Sequence, residues 1–112
     1  MTEKTTPAEV YPLAEFICDE MAARGWTAGD VVRRMKANPS FVDYCAFDMF
    51  LVIHRENLIL DEELFTGLSQ AFGVSARFFR AIHDTWLAHP KARVAFVPPE
   101  DLLSGYGEWG AA

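Results

Sequence analysis

The chain is short of the residues that would commit it to most chemistries. It has two cysteines, Cys18 and Cys45. Each stands alone in an apolar stretch, so there is no Cys-x-x-Cys motif, and both read as buried free thiols suited to a reducing cytoplasm. Basic residues are scarce, ten Lys and Arg against sixteen Asp and Glu. The resulting net charge of −6 and pI near 4.9 argue against generic affinity for nucleic acid. The amino-terminal residues hold no basic region followed by an apolar one, so no signal peptide is expected. The most apolar run, residues 44–53, contains Asp48 and is too short to span a bilayer, so no membrane partner is expected. There is no phosphate-cradling glycine loop, nucleophile elbow or HExxH motif. His83-Asp84 and His89 are the nearest approach to a metal or acid–base group. Ligands on one helical face need a spacing of three or four, and this pair is six apart with Pro90 closing the helix. The expectation is a protein that is not an enzyme and has no metal and no cofactor.

What is present is a core. Among 112 residues, 51% are hydrophobic and 13% aromatic, enough for one packed domain without staples. Residues 1–10 lack periodicity and read as a flexible arm. Helical spacing then runs from Leu13 through Phe16, Ile17 and Met21 to a stop at Gly25. In Arg24-Gly25-Trp26-Thr27-Ala28-Gly29-Asp30, one helix ends on a glycine that tolerates the left-handed conformation. Thr27 and Asp30 form a capping pair for the next helix, residues 28–36. Phe72-Gly73-Val74-Ser75 repeats that punctuation.

Between the two corners, Pro39 breaks the second helix, and Ser40 with Asp43 opens a third over residues 41–54. This helix is apolar nearly all round, so it is central in the core or pressed against a second chain. Asp61 caps a fourth helix. Ser75 caps a fifth, which stops before Pro90. The tail from residue 91 carries Val94-Ala95-Phe96-Val97, a short strand or an extended segment, and then Tyr106 and Trp109 among glycines. The fold class is therefore all-α, a five-helix bundle over residues 11–90 with an irregular carboxy-terminal tail, residues 91–112, as a candidate interaction segment.

Positive charge is confined to two blocks. Residues 24–55 carry five bases against three acids, and residues 77–93 carry four against one. Arg33, Arg34 and Lys36, followed by Asn38 and Ser40, fit phosphate contacts at a helix corner, or else a solvated helix face. Tyr44 fits a phosphate or a thymine methyl, or else the core or an interface. Arg77, Arg80, Lys91 and Arg93 fit phosphates, or pairing with the acids at Glu56 to Glu63.

Five short helices with these corners resemble the lambda-repressor-like helix-turn-helix fold of the Cro/repressor (XRE) family, closest to antidote proteins of toxin–antitoxin modules (the HigA type). The resemblance covers residues 13–88. Its residues are Phe16-Ile17 with Glu20-Met21, Arg24-Gly25-Trp26-Thr27, Asp30-Val31 with Arg33-Arg34-Met35, and Leu68-Ser69-Gln70-Ala71-Phe72-Gly73-Val74-Ser75 with Phe78-Phe79 and Trp86-Leu87. It implies a cytoplasmic homodimeric transcriptional regulator that binds DNA through Arg33, Arg34, Lys36, Asn38, Ser40 and Tyr44, with a cognate toxin as a further partner. The chain departs from the family at its recognition helix, which offers only Ser40, Asp43, Tyr44 and Asp48 as polar groups before His54. Carboxylates repel the phosphates that supply most affinity. The alternative is a degenerate helix-turn-helix scaffold that acts as a protein–protein interaction module. In either case Phe47, Phe50, Phe96 and Trp109 are the expected dimer or partner contacts.

Overall fold

A computed structural model describes residues 8–103. It contains α1 (Leu13–Arg24), α2 (Ala28–Met35), α3 (Phe41–Val52), α4 (Glu62–Phe72) and α5 (Ala76–Ala88), followed by 3-10 turns at Pro90–Ala92 and Glu100–Leu102. The fold is all-α, with five α-helices among the described residues, and the helix ends follow the punctuation read from the sequence.

Gly25 adopts φ 70°. Its N–H bonds the carbonyl of Ala22, and the Trp26 N–H bonds that of Met21, which satisfies the last carbonyls of α1. Gly73 ends α4 at φ 72°, with its N–H on the Ser69 carbonyl at 2.9 Å. Both capping boxes form. Thr27 N–H donates to Asp30 Oδ2 at 2.8 Å, and Ser40 N–H donates to Asp43 Oδ2 at 2.7 Å. Asp61 Oδ1 accepts from Leu64 N–H, and Ser75 Oγ from Arg77 N–H. Each such cap stabilises its helix by about 1 kcal/mol.

The bundle closes around Leu13, Ile17, Met21, Val31, Leu51, Phe65, Leu68 and Phe79, all essentially inaccessible. α2 packs most extensively on α4, where Gly67 leaves room for the Met35 side chain. The corner between α1 and α2 is tied inward by Trp26, whose ring lies 5.4 Å from that of Phe72 at the end of α4. The two glycine corners therefore meet in space.

Several expectations need correction. α2 ends at Met35 and α3 at Val52, each about one or two residues early, because Lys36 and Ile53 turn to extended backbone. Phe47, expected at an interface, is a core residue at 4% exposure, and Cys45 is half-exposed whereas Cys18 is buried. The arm boundary also moves. Val10 is buried and makes an isolated parallel bridge with Arg93, bonding Ala92 O and Val94 N–H at 2.8 and 2.9 Å. Residues 94–97 form no strand, and Phe96, Leu102 and Leu103 pack back on the core. The packed domain thus runs past residue 90, because the tail supplies apolar cover that the helices leave open.

Replacing Gly25 or Gly73 by Ala forces a Cβ into the left-handed region. Each substitution is expected to cost about 1–2 kcal/mol, read as a lowered urea midpoint with an unchanged slope.

Candidate functional site

The corner between α2 and α3 holds the residues expected from the sequence to contact phosphates, and it is already occupied by internal pairings. Arg33 Nη2 sits 2.6 Å from Asp30 Oδ1 and shares a hydrogen bond with Tyr44. Arg34 lays its guanidinium 4.1 Å from the centre of the Trp26 ring and donates to the Asp30 carbonyl at 3.2 Å. Lys36 Nζ is 3.2 Å from Asp43 Oδ2. The capping bonds from Thr27 and Ser40, ahead of these cations, hold the Asp30 and Asp43 carboxyls below the usual carboxylate range. Ser40 spends its hydroxyl on the cap, Tyr44 is half-buried against the core, and Asn38 is exposed in the turn.

α3 itself is two-sided. Phe47, Asp48 and Leu51 face inward. On the other side Phe41, Val42, Met49 and Val52 are 53%, 70%, 55% and 49% exposed, with Ala46 exposed and Cys45 half-exposed between them. At 3.6 residues per turn these positions cover an arc of about 140°. No side chain on that arc carries a charge or a nitrogen or oxygen atom. Beside it runs a groove of about 430 Å³, floored by Val32, Met35, Phe47 and Phe50 and rimmed by Lys36, Asp43, Asp61 and Glu63. Phe50 is therefore half-buried at the groove, and its ring lies 5.5 Å from that of Phe47. Phe96 is half-buried against the His54 ring, away from this groove, and Trp109 lies outside the described residues.

The second basic block is largely structural. Arg80 pairs with Glu62 and lies over Phe65. Arg93 donates to the carbonyls of Trp86, Leu87 and Glu56 at 3.0, 3.4 and 3.1 Å, with its guanidinium 3.7 Å from the Trp86 ring centre. It supplies the carboxy-terminal cap that α5 lacks in its own last turn and ties that end to the link before α4. Arg77 and Lys91 are exposed.

Sequence reasoning missed His83 as a buried histidine and His54 as a half-buried one. His83 is 4% exposed and stacks on Trp86, and neither its Nε2 nor that of His54 has a partner. Burial lowers both below the ordinary histidine range, against smaller opposing contributions from Asp84 and from backbone hydrogen bonds at Leu58 and Leu51. Among the described residues no group of three His, Cys, Asp or Glu is placed to hold a metal, and no helix is long and apolar enough to cross a membrane. Comparison with family models, with curated proteins and with solved structures finds no match for the chain.

Two outcomes follow. Arg93→Lys keeps the charge but loses the fork and the ring stacking, and should cost about 2 kcal/mol in denaturant unfolding. Buried His83 and half-buried His54 make the fold acid-sensitive. Stability is complete above the unfolded histidine pKa of about 6.5 and falls as pH drops through it toward the lowered folded values. His83→Gln should flatten that fall in a series of urea midpoints against pH.

Proposed function

We propose that this chain is a regulatory interaction module on a helix-turn-helix scaffold of the lambda-repressor type, whose third helix meets protein instead of base pairs. The observation that carries this reading is the outward arc of α3. A helix that reads the major groove needs donors and acceptors matched to base edges, and usually Arg, Asn or Gln to make bidentate contacts. Val42, Cys45, Ala46, Met49 and Val52 offer none. Contact with a thymine methyl suits one apolar residue, not a continuous face. A contiguous exposed apolar patch is instead the usual mark of a protein interface.

The charge distribution supports the same reading. Arg33, Arg34 and Lys36 are each committed to a carboxylate, a carbonyl or a ring within the fold, and the chain carries −6 overall. This local pairing of the three cations speaks against a continuous positive ridge, the footprint expected of a phosphate-binding edge.

A second reading keeps DNA as the partner, in the manner of a homodimeric repressor or antidote protein. It is favoured by one observation: the side chains of Arg33 and Lys36 remain 55% and 57% exposed beside Asn38, and exposed ion pairs exchange readily for a phosphate.

A titration of labelled duplex DNA at about 50 mM and about 200 mM salt separates the two. The interaction module gives no salt-dependent binding in the micromolar range, and Arg33→Ala with Arg34→Ala changes nothing. Binding that weakens steeply with salt and disappears in that double variant transfers the function to DNA.

A further inference from the structure

We infer that α3 pairs with the α3 of a second copy of this chain, antiparallel, through Val42, Cys45, Met49 and Val52. The inference rests on the protein-interaction reading and supplies its partner.

The spacing comes first. Positions 42, 45, 49 and 52 step by three, four and three, the 3.5-residue seam along which two helices interlock side chains. This seam lies on the side of α3 opposite Phe47 and Leu51, so it is open in the folded monomer and no core residue has to move.

Charge selects the occupant. Most of the surface of a −6 chain repels a copy of itself, notably the start of α4 with Asp61, Glu62 and Glu63. The stretch from Lys36 to Arg55 is an exception, with two bases and two acids. Lys36 is paired with Asp43 and the seam residues carry no charge, so the carboxylates a second copy has to clear are Asp61 and Glu63 on the rim of the neighbouring groove. The seam offers no polar atom to a polar partner, whereas its own copy matches it in length, apolarity and charge balance.

Orientation follows from the ends. An antiparallel pair sets the helix dipoles head to tail, whereas a parallel one sets like ends together. A two-fold axis near position 47 places Val42 against the partner's Val52 and Cys45 against the partner's Met49. The same axis brings the amino-terminal end of each α3 to the carboxy-terminal end of its partner, so the dipoles meet at opposite ends.

Size sets the strength. Phe41, Val42, Met49 and Val52 are about half or more exposed and together supply roughly 400 Å² per protomer. With a polar rim the pair reaches the lower edge of specific interfaces, about 1,200 Å² in total. An interface at that edge belongs with weak, reversible contacts, and a dissociation constant on the order of 1–100 µM is the expectation. In that dimer α3 is covered along the face that a recognition helix would present to DNA.

Analytical ultracentrifugation of the full chain from about 1 µM to about 1 mM tests this, with circular dichroism as the control for folding. The parent protein passes from monomer to dimer over that range. Met49→Asp, at an exposed position, keeps the helical signal and weakens association by roughly 30-fold or more. Met49→Cys, oxidised with glutathione disulfide, gives a covalent dimer in which peptide mapping joins the introduced thiol to the partner's Cys45. Cys18 is buried and takes no part. A parent that stays monomeric at the highest concentration overturns the pairing. So does a dimer indifferent to Met49→Asp, or a cross-link joining only the two introduced thiols. A monomer that also ignores DNA removes self-pairing alone and leaves the interaction reading standing. A monomer that binds DNA in a salt-dependent way removes both.

Discussion

A single helix has one side to turn toward a core, and α3 has apolar residues enough for two. Phe47 and Leu51 fill the inner side and hold α1 and α2 to the helix that crosses them. The outer side is left with Val42, Met49 and Val52 in water. Burying an exposed residue of that size is worth about 1.5–3 kcal/mol, so this face is a standing driving force for association. The rest of the domain is consistent with it. The Ser40–Asp43 cap fixes where α3 begins, and the neighbouring Lys36 is held by Asp43 beside the apolar arc.

In the reading proposed above, those tied charges set a helix-turn-helix scaffold apart from a helix-turn-helix reader. Asp30 serves the Thr27 cap, Arg33 and the Arg34 corner at once, while Asp43 serves the Ser40 cap and Lys36. The residues that start each helix therefore also hold the cations beside it. Individually such exposed pairs contribute little to stability. Their consequence is electrostatic, because Arg33 and Lys36 each stand beside a carboxylate of the same corner.

Much of this was legible in the chain, for a local reason. Gly25 and Gly73 in the left-handed region, and the Thr27–Asp30 and Ser40–Asp43 boxes, are decided by residues within four positions of each other. The all-α class follows from them. What escaped the sequence depends on distant partners. Arg93 reads as a surface base, yet it caps α5 and bonds the Glu56 carbonyl. Val10 reads as part of an arm, yet its bridge to Arg93 buries it. On α3 the ambiguity is geometric. With apolar residues all round the helix, no moment marks the inner side, so Phe47 and Phe50 look alike until α1 and α2 are in place.

The account turns on whether the outer face of α3 is covered by a second copy. Cys45 lies on that face, half-exposed, and reports on it directly through its alkylation rate as a function of protein concentration. Cys18 serves as the internal control, since burial removes it from solvent and pushes its thiol up to about 12. The prediction is that Cys45 reacts readily in dilute solution and becomes protected as the concentration passes through the micromolar range, with Cys18 silent throughout. A Cys45 rate that does not change with concentration, and falls only when duplex DNA is added, would contradict it.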